Sequence, residues 1–281
     1  MRTVFLLLMT FILSSCESEQ PIQDEQKRLI DQEITASNTF KIVKKGEIIY
    51  EHTQNSGKLG DKDITNETIF PIWSMSKPIT TVAMMILYDQ KGFELYDNVS
   101  KYLPEFENMM CKKDSVIQPC KNQIKIIDLL THRSGFGYYN DVYGENSFIG
   151  KPSPLNKYMN TYVYDDLNEF SLAVSKQPLE FEPGQHYFYG LNQDILGRVI
   201  EVITGKSFYE YLKDNLLKPL EMSDTKFHLT LEERERFQPL FINKIPNTPM
   251  NPSTNSLKGF TNEMDQLSYL ETNKAYMGSG G

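Results

Sequence analysis

The chain has 281 residues, room for about two domains or one large one. Apolar residues make up 40% and mixed charges 23%, with 16 glycines and 14 prolines, which excludes low-complexity disorder and collagen. A net charge of −8 argues against nucleic acid as a partner, and 3 cysteines with 4 histidines supply neither a dense disulfide framework nor an obvious zinc cluster.

Arg2 is the only charge before Glu17, and Val4 to Leu13 is almost wholly apolar. That run is about half of the roughly 20 residues a bilayer span needs, so it reads as a signal-peptide core. It ends in Leu13-Ser14-Ser15-Cys16, which resembles a bacterial lipobox, whose cysteine is lipidated and becomes the new N-terminus. The expected organisation is a signal peptide over 1–15, a lipidated tether and first helix over 16–34, and one domain over 35–281. Lipid chains would hold the protein on a membrane of the bacterial cell envelope, outside the cytoplasm. Disulfides persist there. With Cys16 lipidated, Cys111 and Cys120 remain; they read as a loop-closing disulfide, with two free thiols as the alternative.

The helix after the acidic tether is expected around 22–34. Phe40 to Val43 and Glu47 to Tyr50, split by Lys45-Gly46, predict a β-hairpin. Thr68 to Phe70 is a short extended run before Pro71. From Met75 to Gln90, Ile79, Val82, Ala83, Ile86 and Leu87 keep a helical spacing that Gly92 should end. Short helices are expected over 124–131 and 167–175. Ile195, Val199, Ile200 and Ile203 define a helix over 194–204 that stops at Gly205, and another is expected over 208–217. Hairpin strands first and helices after suggest an α+β fold.

Ser74-Met75-Ser76-Lys77 is a Ser-x-x-Lys pattern. Three residues apart on a helix, the two side chains share one face. Near the positive helix end, a desolvated amine can take the serine proton, and Pro78 falls in the first turn, where a missing N–H costs least. The same pattern occurs by chance at about this chain length. Indeed Ser223-Asp224-Thr225-Lys226 repeats it in a polar connection after Pro219, before a strand-like Phe227-His228-Leu229, and reads as a turn.

Context separates the two copies. Phe70 to Thr80 resembles the nucleophile segment of the serine β-lactamase and penicillin-binding-protein superfamily, in its class C-like branch. Tyr96 to Pro104, then Leu129-Leu130-Thr131-His132-Arg133-Ser134-Gly135, then Phe181-Glu182-Pro183-Gly184 with Asp194 to Arg198, resemble the same branch in the same order. The resemblance spans about 36–281. It implies a β-lactamase/DD-peptidase-like α+β fold, with an antiparallel sheet flanked by helices and a mainly helical domain. It also implies a tyrosine facing Ser74 and Lys77. Tyr96–Asn98, Tyr138–Asn140 and Tyr158–Asn160 all match the family's Tyr-x-Asn, but only Tyr189 comes after a Pro-Gly turn and precedes a helix as the family's tyrosine does. Its implied role is to pass a proton between Ser74 and the leaving group. Leu191 stands where the family has asparagine, and Asn192 comes one place late; this weakens a β-lactamase reading and favours the esterase branch.

His132 invites a Ser–His–Asp triad, but the resemblance makes it structural and Ser134 a cap or turn residue. His52, His186 and His228 show no metal spacing. The aromatics Tyr138, Tyr139, Tyr143, Phe148, Tyr158, Tyr162 and Tyr164 would line a substrate mouth or simply pack a loop. No Lys-Thr-Gly or Lys-Ser-Gly triplet occurs, and Tyr276 to Gly281 resembles the family's glycine turn before a further helix. The expectation is therefore a chain cut short at its C-terminus, lacking closing strands that would supply oxyanion donors. The catalytic set is Ser74, Lys77 and Tyr189, with no metal and no cofactor implied. The expected activity is a carboxylesterase on a small-molecule ester or amide. A D-amino-acid peptidase, penicillin-binding protein or β-lactamase is the alternative, and a non-catalytic envelope lipoprotein the rival of another class.

Overall fold

A computed structural model describes residues 20–114, 116–137 and 164–238, with two short strands at 240–242 and 259–261. Cys16 and the signal segment lie outside the described residues, as do Tyr138, Tyr139, Tyr143, Phe148, Tyr158, Tyr162 and the 276–281 turn. The chain divides into two compact units.

The first unit holds residues up to Phe70 and two later segments, 233–246 and 254–267. Helix α1 (Gln20–Asp31) begins two residues earlier than its predicted start and ends three before the predicted end, where Glu33 takes a left-handed φ of 56°. Strands β1 (Asn38–Lys44) and β2 (Glu47–Gln54) pair antiparallel. Lys45 and Gly46 both have positive φ, the twist a tight two-residue hairpin requires. Gln26 seats α1 on this hairpin: its amide nitrogen donates to Asn38 Oδ1 at 2.9 Å, and its oxygen lies 2.9 Å from His52 Nδ1. The predicted extended run at Ile69 forms a parallel bridge with Phe237.

The second unit holds residues 71–232 and two later segments. A single 3₁₀ turn, Trp73–Met75, leads into α2 (Ser76–Asp89). The buried stripe of α2 is Ala83, Met84 and Leu87, together with Ser76, Lys77 and Thr80. It is rotated from the predicted stripe, since Val82 is exposed and Met84 fully buried. The helix ends as expected near Gly92, but Lys91 carries the left-handed φ of 59°, and a Cβ on Gly92 would meet the Leu87 side chain at 2.7 Å.

Strands β3 (Met110–Lys113) and β4 (Val116–Pro119) form a hairpin inside the loop expected between the cysteines. Its strands are four residues each, with Lys112 and Lys113 in the first and the adjacent Val116 and Ile117 in the second, and offer no period-two apolar signal. Cys111 and Cys120 are joined, with an S–S distance of 1.97 Å. Helices α3 (Ile126–Leu130) and α4 (Leu167–Val174) come next, the latter capped by Asp166 accepting from the Glu169 N–H. Helix α5 (Asn192–Thr204) is the centre of the unit, packing against α2, α3, α4 and α6 (Phe208–Leu212). Gly197 lets it approach closely, for a Cβ there would lie 3.1 Å from Leu167 and 3.2 Å from Phe208. Gly205 ends α5 with a φ of 67°.

The helix predicted over 208–217 is two structures. Helix α6, with Ser207 and Glu210 forming a reciprocal capping box, gives way to a π turn over Lys213–Leu217. Phe227-His228-Leu229 is not a strand: the Phe227 ring packs on Phe208 and Tyr209 instead of joining a ladder. Helix α7 (Leu231–Glu235) and the antiparallel pair β5 (Leu240–Ile242) and β6 (Gly259–Thr261) complete the described elements. The architecture is α+β, but its strands form three separate two-stranded ladders among the described residues, not one broad sheet. No described helix is long and apolar enough to cross a membrane.

Candidate active site

Ser74 lies in the 3₁₀ turn, not at the N-cap of α2; Met75 holds that place and makes no side-chain cap. The hydroxyl is therefore not committed to capping. Trp73, immediately before it, has a φ of 40°, a region bulky residues rarely adopt, so the chain turns sharply at the serine. Ser74 is exposed, while Lys77 one helical turn on is only 6% exposed. Lys77 Nζ donates to Ser74 Oγ at 3.3 Å. Both groups ride on one stretch of chain, as the spacing predicts.

Tyr189 comes from far along the chain. Its hydroxyl donates to Ser74 Oγ at 2.8 Å, and Lys77 Nζ sits 4.6 Å from the centre of its ring. The three predicted catalytic residues thus converge on one oxygen. Ser223 and Lys226, the second copy of the pattern, fall in a turn and irregular chain after Met222, as expected.

A pairing of two loops delivers Tyr189. The Phe188 N–H donates to His132 O at 2.8 Å, the Gly184 N–H to Arg133 O at 2.8 Å, and the Glu180 N–H to Gly135 O at 3.0 Å. Two glycines permit the contact. A Cβ on Gly190 would lie 2.5 Å from Phe136 O, and one on Gly137 only 2.1 Å from the Phe188 ring. The hairpin holds the same segment from its other side, where the Leu179 N–H donates to Met110 O and the Lys112 N–H to Leu179 O. The Glu182 carboxylate accepts from the N–H groups of Lys121 and Asn122, next to Cys120. Cys111, Cys120 and Glu182 cluster closely, but both sulfurs are consumed in the bond, so the cluster is no metal site.

His132 is buried and stacks on Tyr189, ring centres 5.0 Å apart and 26° between planes. Burial, and next the charge of Lys77, push its pKa down from 6.5 to about 4. Its Nδ1 faces Asn192 Nδ2 at 2.9 Å and the Gly190 N–H at 3.3 Å. Asn192 Oδ1 accepts from Ser134 Oγ at 2.5 Å, and that oxygen accepts from the Phe136 N–H at 3.1 Å. The late asparagine is thus fully buried and turned into the loop pair. The sequence named Asn192 and Ser134 only as a displaced motif member and a turn residue; their shared bond spans 58 positions and has no local signal. Tyr164, the one described member of the predicted aromatic rim, is buried with its ring edge-on to Phe170 at 5.6 Å. For this residue packing, not a substrate mouth, is the structural role.

Comparison with known proteins places these features in context. The model of the Beta-lactamase family matches residues 27–274. Among sequence relatives, "Esterase EstB" of Burkholderia gladioli is 29% identical over 202 residues, covering 70% of this chain and 47% of the relative. The chain spans about half or less of the length of the curated relatives it matches. Among solved structures, "EstCE1, a hydrolase with promiscuous acyltransferase activity" aligns with a TM-score of 0.69 at 22% identity, covering 93% of this chain and 68% of that one. An octameric penicillin-binding protein homologue from Pyrococcus abyssi aligns at 0.65 and 20% identity, covering 94% and 53%. At such identities these two alignments speak to fold alone.

Proposed function

Because the chain belongs to the Beta-lactamase family, we propose that it is a serine hydrolase that cleaves an ester or amide through an acyl-enzyme on Ser74, and foremost a carboxylesterase. The observation that carries this is the convergence of Lys77 Nζ at 3.3 Å and Tyr189 Oη at 2.8 Å on Ser74 Oγ. In the proposed cycle the pair reacts as Lys77 ammonium and Tyr189 phenolate, one proton fewer than their two bonds to Ser74 carry; Ser74 Oγ attacks the carbonyl carbon and its proton passes to the phenolate oxygen. The tetrahedral intermediate collapses, the bond to the leaving oxygen breaks, and Tyr189 returns the proton to that oxygen. Water then attacks the acyl carbon under the same pair, giving the free acid and restoring Ser74.

Two observations favour an ester. The family's motif asparagine, which the resemblance assigns to the substrate amide, has no counterpart at Leu191, and Asn192 is spent on His132 and Ser134. The relative that is 29% identical over 70% of this chain is an esterase.

The proposal extends to place. Cys16, after an apolar run too short to span a bilayer, is the site of lipidation, with residues 1–15 removed and the rest held outside the cytoplasm. The Cys111–Cys120 bond supports an oxidising compartment. Metabolic labelling with an alkyne fatty acid in a bacterial host should mark the protein and fail with Cys16→Ala; equal labelling of both would overturn this part.

The test of function is direct. The full chain and Ser74→Ala are treated with a fluorophosphonate probe and, separately, with a fluorescent penicillin, and the modified residue is found by mass spectrometry. Fluorophosphonate alone on Ser74 supports the esterase. Penicillin on Ser74 moves the reading to a peptidase or penicillin-binding protein. No Ser74-dependent labelling by either overturns the hydrolase and leaves the non-catalytic lipoprotein.

A further inference from the structure

Tyr189 has to hold its phenol on Ser74 from a loop, with 39% of its surface exposed. A tyrosine in such a place loses rotamer freedom when it is fixed, so something must fix it. We infer that His132 is a positioning residue for Tyr189: its imidazole, locked as a hydrogen-bond acceptor by Gly190 and Asn192, is the platform that sets the phenol on Ser74 Oγ. The inference rests on the hydrolase reading and goes beyond it by giving His132 a part in the rate.

The lock comes from donors and acceptors alone. The Gly190 N–H can only donate, and it points at Nδ1 from 3.3 Å, so Nδ1 carries no proton. Asn192 agrees by a separate route. Ser134 Oγ already accepts from the Phe136 N–H and gives its own proton to Asn192 Oδ1 at 2.5 Å. That fixes the amide with Nδ2 towards the imidazole, 2.9 Å from Nδ1, where it must donate. Two donors therefore grip one nitrogen, and the proton of the neutral ring sits on Nε2. A ring gripped at one edge has a fixed plane, and Tyr189 lies on that plane at 5.0 Å. Gly190 is also the next residue after Tyr189, so the same acceptor holds both the backbone beside the phenol and the face beneath it.

Charge points the same way. The titratable groups that face His132 are Lys77 from α2 and Tyr187 and Tyr189 from the loop. A protonated imidazole would repel Lys77 and could no longer accept from Gly190 or Asn192. A neutral one leaves the site with a single cation beside Ser74.

The test compares second-order rates of Ser74 modification by the fluorophosphonate probe in the full chain, with saturation separating binding from the chemical step, and with Tm measured alongside. His132→Asn keeps an acceptor oxygen near the Nδ1 position and removes the platform. His132→Phe keeps a ring and removes the acceptor. The expected result for His132→Asn is a Tm within a few degrees of the parent, a half-saturating probe concentration within twofold, and a maximal rate lower by about 10-fold or more, in the range of general acid–base contributions. His132→Phe should also lose rate, because its ring has no gripped edge. Folded variants that both react within twofold of the parent overturn the inference. If neither folds, Ser134→Ala decides, since it leaves the His132 ring in place and removes only the hydroxyl that orients Asn192 and accepts from the Phe136 N–H: a threefold or larger fall at unchanged Tm supports the inference, and an unchanged rate overturns it. A parent that shows no Ser74-dependent labelling sinks the hydrolase reading and this one with it. A labelled parent with indifferent variants sinks this one alone.

Discussion

Ser74 and Lys77 sit on one turn of chain and reach each other by helix geometry. Tyr189 reaches the same oxygen only because a loop at 132–137 pairs with a loop at 184–190, and a disulfide-bonded hairpin holds the approach to the second loop. The first half of the site is local and needs little support. The second half is assembled from contacts across more than 50 positions and depends on two glycines, a buried asparagine and an imidazole. The proposed catalysis needs both, so damage to the remote loop pair should silence an intact Ser74–Lys77 pair.

The largest effects should come from the converging groups themselves. Tyr189→Phe and Lys77→Met should each slow Ser74 labelling by about 10²–10⁴-fold with the fold intact, as circular dichroism would verify. Gly190→Ala attacks delivery alone. Its new Cβ meets backbone at 2.5 Å from Phe136 O, which cannot swing aside. Overpacking of this kind costs about 1–3 kcal/mol or more, so labelling should fall steeply and Tm by several degrees, whereas Ser74 and Lys77 are untouched. Labelling at the parent rate would show that the loop pair does not deliver the tyrosine.

Next comes the hairpin. Cys111→Ser with Cys120→Ser should remove up to about 3 kcal/mol by the chain-entropy account for a loop of this length, read as a lower urea midpoint. It should also slow labelling, because Leu179 and Glu182 hang on the hairpin. A smaller effect comes from pH. His132 is held at about 4 in the fold, below its unfolded value of 6.5. The unfolded chain therefore takes up the proton first, and the stabilisation from neutral His132 is complete above 6.5 and lost as pH falls towards 4. The stability gap between the parent and His132→Asn should narrow across that window in urea titrations. Smallest is Ser207→Ala, which removes the capping box of α6 and should cost about 1 kcal/mol with no change in labelling.

The same division explains which parts were legible in the sequence. Helices α2, α4 and α5 were readable because apolar spacing and caps are written within one or two turns. Ser74 and Lys77 were readable for the same reason, and Tyr189 because the family resemblance fixed its place after a Pro-Gly turn. The part of α2 that spacing reads wrongly, Val82 for Met84, turns on which side of the helix the rest of the unit covers, and only packing decides that. The hairpin β3–β4 leaves little trace because each strand is only four residues long and Lys112 and Lys113 fill half of the first. The acceptor role of His132 was missed because its partners, Gly190 and Asn192, lie 58 and 60 positions away. Their bonds leave no trace in spacing.

The π turn over Lys213–Leu217 carries one residue more than an α-helical turn, with the Lys218 N–H reaching back to Lys213 O at 3.0 Å. Leu216 and Leu217 both bury in this widened turn. It is in effect a place where the chain can change length. Deleting Asn215 would let the turn close into an ordinary helix, and because the lost residue is taken from within one turn the chain beyond Leu217 would keep its direction. The helices before it, and the serine, lysine and tyrosine, lie upstream and would keep their register. Lineages of this family that differ by a residue in this stretch could therefore do so without disturbing the chemistry.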